Sequence, residues 1–263
     1  MTTTRMRPRE HGAYAMLAFP VLSGLLLGGP SAAGIGFVAA AVGAFLTHEP
    51  AAVLLGARGQ RLATAARSAA WRRLTWGAGL AGAGALLFLL TSPTSALQGA
   101  VWPVAGAAGV TLLLLTGSVK TIPGEAWVAI TFASVHVPVA AAGGATGVAV
   151  WLPALVWAGG FIPPTLAVHA LKTRFRAARR EAESVPGRWT TAVAPGVATA
   201  IVAAAVAAAV LGGLAGSMAV LPMAGAAGVI SLLAIHPRHL KRVGWTMVFT
   251  DVATLTLLVV LLA

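Results

Sequence analysis

The chain alternates long apolar stretches with short polar breaks. Nine stretches approach the roughly 20 residues that a bilayer-crossing helix needs. They run over about 11–29, 32–56, 74–91, 98–118, 125–144, 149–171, 190–213, 217–236 and 244–262. The breaks come in two kinds. After the first, third, fifth and seventh stretches they are short and uncharged: Gly29-Pro30-Ser31, Ser92-Pro93-Thr94, Gly143-Gly144-Ala145 and Gly212-Gly213. Glycine and proline there mark where one helix stops and the next begins. The other breaks, with the segment before the first stretch, hold all 18 Lys and Arg. Three precede the first stretch (Arg5, Arg7, Arg9), and five follow the second (Arg58, Arg61, Arg67, Arg72, Arg73). Lys120 follows the fourth, six follow the sixth (Lys172, Arg174, Arg176, Arg179, Arg180, Arg188), and three follow the eighth (Arg238, Lys241, Arg242). Basic loops stay cytoplasmic. The pattern therefore predicts an all-α polytopic transmembrane bundle of about nine spans, N-terminus inside and C-terminus outside.

Composition agrees. The chain is 58% hydrophobic and 9% charged, with mean hydropathy +0.88. A soluble domain carries about 25% charged residues. A net charge of +12 would suggest nucleic acid in a soluble protein. Loop asymmetry explains it here, so no nucleic-acid partner is expected, while anionic lipid headgroups are. There is no cysteine, which excludes disulfides, thiolate catalysis and Cys-ligated metals. The first stretch is too long for a signal peptide and lacks a cleavage site, so it reads as a retained helix.

Two inner segments are long: 57–73 and 172–189. The first reads as a short amphipathic helix with Leu62 and Ala66 on one side and Arg61 and Arg67 elsewhere. Small residues crowd the spans, as in Gly77-Ala78-Gly79-Leu80-Ala81-Gly82-Ala83-Gly84, and predict close helix packing. Pro20, Pro50, Pro103, Pro138, Pro153, Pro163, Pro164 and Pro222 fall inside spans and should kink or break them. A short echo links Pro8-Arg9-Glu10 before Ala13-Tyr14 with Pro123-Gly124-Glu125 before Ala126-Trp127. Each is followed by a span ending near a histidine (His48, His169) and then a basic segment. That suggests one membrane domain over 1–263, built of two four-helix halves and a ninth helix.

Chemistry is confined to one side. The six acids (Glu10, Glu49, Glu125, Glu181, Glu183 and Asp251) fall in inner loops or inner half-spans. Glu49 and Asp251 each sit about seven residues from an inner span end, about 10 Å deep at ~1.5 Å per residue. An acid in a membrane helix marks either a site or a buried ion pair with a neighbouring arginine. A tightly paired Glu49 would be a packing residue. His11, His48 and His169 lie at inner span ends, His136 lies mid-span, and His236 and His239 close the eighth span. A lone membrane histidine is usually a hydrogen-bonded packing residue. Three at one depth beside Glu10 and Glu49 suit proton transfer or a His–carboxylate metal site. No ligand spacing picks out a metal, no pair stands out for haem, and no motif names a cofactor. His169, Lys172, Arg174 and Arg176, with Arg58 and Arg61, suit an anion clamp or, more blandly, a solvated basic loop. Glycine-rich nucleotide signatures are absent. The anion would then be a phosphate or carboxylate on an amphiphile arriving from the bilayer.

The run Pro8-Arg9-Glu10-His11-Gly12-Ala13-Tyr14-Ala15-Met16-Leu17 resembles the start of the YwiC-like family of bacterial membrane proteins. His48-Glu49-Pro50 and the arginines of 172–189 are similar to that family too. The resemblance implies a multi-pass protein of the bacterial cytoplasmic membrane, without a settled activity. In layout the chain more distantly resembles UbiA-type intramembrane prenyltransferases, which also have nine helices and active loops 2–3 and 6–7. Those enzymes hold Mg²⁺-diphosphate on two aspartate-rich motifs. Here His48 and Glu49 stand at the first motif and basic residues at the second, and Asp251 is the only aspartate. Magnesium prefers carboxylate and water oxygens, so the topology carries over and the catalytic residues do not. The expectation is a membrane protein that binds an isoprenoid, quinone or lipid phosphate in a cytoplasm-facing cavity. Its candidate contacts are Glu10, His11, His48, Glu49, Arg58, His169, Lys172, Arg174, Arg176 and Asp251. A transporter and an assembly factor for a membrane enzyme complex are the alternatives.

Overall fold

The computed structural model describes residues 11–179, 188–233 and 240–263. Its helices are α1 (His11–Gly28), α2 (Ala32–Leu54), α3 (Gln60–Ala65), α4 (Arg67–Thr91), α5 (Thr94–Leu115), α6 (Ile122–Ser134), α7 (His136–Ala142), α8 (Val148–Arg179), α9 (Arg188–Gly212), α10 (Leu221–Leu232) and α11 (Leu240–Leu262). A 3-10 helix, Ala215–Val220, leads into α10. Among the described residues eight helical stretches are long and apolar enough to cross a membrane, and the shorter apolar helix Gly12–Gly28 precedes them. This is the all-α, polytopic membrane bundle that the alternation of apolar stretches predicts. The uncharged turns form as expected, with Gly29, Gly144 and Gly213 at positive φ and Ser31 capping α2 through Gly34 N.

Two spans are composite, and proline is the reason. Pro138 offers no N–H to the Ser134 carbonyl and its ring crowds that carbonyl, so the helix breaks at Val135 between α6 and α7. Pro222 sits in the first turn of α10, where a missing N–H costs nothing, and the 3-10 helix ends just before it. The other prolines expected to kink or break spans lie within continuous helices, as does Pro195.

Two boundaries differ from the pattern. The segment 57–73 is α3 plus the first turns of α4, which starts at Arg67 rather than near 74. Leu62 and Ala66 do pack inward with Val53 and Ala70, while Arg61 and Arg67 are exposed. Likewise α8 runs through the basic run to Arg179 instead of stopping near 171. Alanine, leucine, lysine and arginine all favour helix. Charge ends a hydrophobic stretch without ending a helix. At ~1.5 Å per residue the 32 residues of α8 span about 48 Å, against about 30 Å of bilayer core. The basic end of α8 thus extends beyond the apolar slab.

The most extensive packing joins α2 to α4 backbone to backbone. A Cβ on Gly36 would lie 2.7 Å from Phe88 N, and one on Gly43 would lie 2.7 Å from the Gly77 carbonyl. A Cβ on Gly84 would lie 2.6 Å from the Gly36 carbonyl and closer still to Ala40 N. Gly36 and Gly43, like Gly77 and Gly84, are seven residues apart, so each pair shares a helix face. Gly79 and Gly82, between them on α4, face open space. The predicted small-residue packing is therefore carried by one stripe of the run. In a bilayer, where apolar burial drives no association, such close approach is a main source of helix–helix attraction.

Candidate functional site

Three helices converge on a line of aromatic rings. Tyr14 of α1 meets Phe45 of α2 edge-on with centroids 5.1 Å apart, and Phe45 meets Phe132 of α6 at 5.7 Å. Below this line, toward the basic side, the same faces turn polar. His48 and Glu49 lie three and four residues beyond Phe45, and Glu125 lies seven residues before Phe132. All three share the convergent faces by helical spacing. His11 opens α1 one turn below Tyr14. From α8, His169 Nδ1 approaches Glu125 Oε2 at 3.7 Å, both side chains half-buried. Glu125 is held in the first turn of α6, whose N-cap Thr121 accepts from Gly124 N at 3.2 Å. An acid there also suits the positive end of the helix dipole.

Glu49 and Arg58 are bound to each other. Arg58 donates from Nε to Glu49 Oε1 at 3.0 Å and from Nη2 to Oε2 at 2.6 Å. Gly56 and Gly59, both at positive φ, turn the chain sharply after α2, and Arg58 sits between them. Both carboxylate oxygens are engaged in a fork geometry that favours arginine. The arginine comes from the turn after the same helix, so the pair staples the end of α2 instead of pinning two helices together. This fits the packing reading of Glu49.

Asp251 is elsewhere. It lies at the middle of the 23-residue α11, which starts at Leu240 rather than near 244; the added start holds Lys241 and Arg242, so the place of Asp251 within the apolar stretch is unchanged. Its side chain is 4% exposed, and among the described residues no hydrogen bond or ion pair reaches it. Lys172, Arg174 and Arg176 fall in the last turns of α8, their side chains outside the described set. Glu10 also lies outside the described residues. His48 is half-buried and has a partner. Among the described residues no three His or carboxylate side chains gather as a metal would require.

One polar centre escaped sequence reasoning. Ser23, His136 and Trp157 are each fully buried. Trp157 Nε1 can only donate, and does so to Ser23 Oγ at 2.9 Å. The Ala149 carbonyl can only accept, so His136 Nε2 carries a proton and donates to it at 3.0 Å. Ser23 Oγ lies 2.8 Å from His136 Nδ1, and 2.9 Å from the Pro20 carbonyl, a second acceptor for its proton. Pro153 has no N–H for the Ala149 carbonyl four residues earlier. His136 replaces that donor. The network ties α1, the start of α7 and α8 into one unit. It is the packing role expected of a lone membrane histidine, with a partner set visible only in three dimensions.

No curated protein and no solved structure matches the chain. The family model described as YwiC-like protein matches residues 8–141, slightly more than half of the sequence. That segment includes Tyr14, Phe45, His48, Glu49, Arg58 and Glu125 as well as the α2–α4 seam. The chain is an integral membrane protein belonging to the YwiC-like family.

Proposed function

We propose that the protein sits in a bacterial cytoplasmic membrane and binds the polar end of an amphiphile on its basic side. The observation that carries the reading is the convergence of His48 and the Glu125–His169 pair beneath the Tyr14–Phe45–Phe132 line. Aromatic rings close the apolar side of that region. Beyond His169, α8 continues as a helix through Lys172, Arg174 and Arg176, the basic residues that the proposal assigns to an anionic head. An amphiphile with an anionic or carbonyl head suits this pairing: an isoprenoid, a quinone or a lipid phosphate. Glu49 and Arg58 shape the rim by holding each other. A UbiA-like layout is part of the proposal, without the Mg²⁺-diphosphate chemistry that aspartate-rich motifs would bring.

Native mass spectrometry of the detergent-extracted protein tests it. The wild type should retain a discrete lipid or quinone that the double variant His48→Ala, Arg174→Ala loses. Equal retention by both would remove the site.

A second reading, transport of a small solute, draws on the depth of Asp251. An acid at mid-membrane commonly lies on a substrate or ion path. Flux into proteoliposomes that disappears in Asp251→Asn would favour it over the first.

A further inference from the structure

The buried stripe of α11 runs Val243, Met247, Asp251, Thr254, Leu258, at successive spacings of four and three residues. Its ends are apolar and belong to two separate packing clusters. Val243 and Met247 join Leu166, Ala194 and Ile230. Leu258 and Leu255 join Trp157, Phe161 and Met223. Asp251 and Thr254 occupy the seam between the clusters.

Among the described residues neither side chain has a partner. Asp251 is 4% exposed and Thr254 is fully buried. The Thr254 hydroxyl makes no hydrogen bond. This is unusual on its own helix. Thr246, Thr250 and Thr256 each donate to a carbonyl three or four residues back. A helical threonine ordinarily quiets its hydroxyl that way. Thr254, the most buried of the four, keeps its oxygen lone pairs and its proton on the face it shares with Asp251.

We propose that Asp251 and Thr254 form an intramembrane site for a monovalent hard cation, Na⁺ in the first instance. Carboxylate, hydroxyl and carbonyl oxygens are the donors hard cations take. A single carboxylate balances a single positive charge, whereas a divalent ion would leave one charge unpaired in a low-dielectric interior. The site shares no residue and no chemistry with the amphiphile region, and it stands whether or not that reading does.

Thermal unfolding of the purified full-length protein, followed by tryptophan fluorescence in NaCl, KCl or choline chloride at equal ionic strength, tests it. A ligand that binds only the folded state raises the midpoint with its concentration. Na⁺ should raise the midpoint over choline. Thr254→Val, close in shape, should require about ten-fold more Na⁺ for the same shift, and Asp251→Asn should abolish it. The His48→Ala, Arg174→Ala variant should respond as the wild type does. An unchanged midpoint in Na⁺, or a shift that survives in both α11 variants, overturns the proposal. So does a response to pH in choline with none to Na⁺, since a buried carboxyl that only exchanges a proton gives that result. Should either variant fail to fold, ²²Na⁺ binding by the wild type, competed by unlabelled Na⁺ and not by choline, decides the point.

Discussion

A single methyl group on α4 should separate α2 from it. In Gly84→Ala the new Cβ would fall 2.6 Å from the Gly36 carbonyl oxygen, 2.9 Å from the Ala39 carbonyl carbon and closer still to Ala40 N. All three are backbone atoms, so no rotamer change relieves the contact. Heavy atoms are comfortable at about 3.5–4.0 Å, so the helices must part by roughly 1 Å near this point. A gap of 0.5–1 Å forfeits about a quarter to a half of each dispersion well. The loss extends along the seam, because Gly43 and Gly77 depend on the same approach. Overpacking of this kind costs about 1–3 kcal/mol, and an immovable neighbour puts the cost near about 3 kcal/mol. Gly82→Ala, on the same helix and facing open space, should be neutral or stabilising by up to about 1 kcal/mol through helix propensity. Heating detergent extracts and reading the surviving monodisperse peak by size-exclusion chromatography compares the two. For soluble chains of this size a loss of 3 kcal/mol lowers the midpoint by roughly 6–12 °C. The reasoning is refuted if Gly84→Ala and Gly82→Ala melt together.

Ser23→Ala strips partners from both the Trp157 N–H and His136 Nδ1, two fully buried groups, and should destabilise by about 1–3 kcal/mol per orphaned group. Ser134→Ala, whose hydroxyl only reaches the Thr131 carbonyl on its own helix, should cost far less in the same melt. A double-mutant cycle over Glu49→Gln and Arg58→Ala should give a coupling below about 1 kcal/mol, because the pair is partly exposed at 34% and 18%. A coupling several times larger would mean that the pair is effectively desolvated. Trp127→Phe should lose about 1 kcal/mol with the hydrogen bond to the Gly106 carbonyl that ties α6 to α5, and chemical denaturation of the two proteins measures it.

Hydrophobicity along the chain was enough to find the eight membrane-capable stretches and the shorter apolar helix before them, because lipid allows only segments that satisfy their own backbone. It misjudged where helices end. The basic start of α4 and the basic end of α8 leave the apolar slab, yet keep residues that favour helix. The chemistry was less legible. Glu49 and Arg58 pair across nine residues only because Gly56 and Gly59 turn the chain back, a conformation the pattern of apolar residues does not encode. Ser23 meets Trp157 across 134 residues, and nothing local distinguishes it from other membrane serines. The one available signal was Pro153, which leaves the Ala149 carbonyl without a helical donor and so demands one from elsewhere. Asp251 was visible as an anomaly from its type alone, while its burial without a partner among the described residues was visible only in three dimensions.

The account rests on one asymmetry of the sequence: charge, carboxylates and most histidines fall toward the basic side, which the positive-inside rule predicts to face the cytoplasm. Because the chain has no cysteine, single cysteines report position cleanly. Thr146→Cys lies in the exposed turn before α8, and Ser68→Cys in the exposed first turn of α4. A membrane-impermeant maleimide applied to intact spheroplasts should label the first and spare the second until the membrane is opened. Labelling of Ser68→Cys in sealed spheroplasts, with Thr146→Cys protected, would invert the protein and contradict the account.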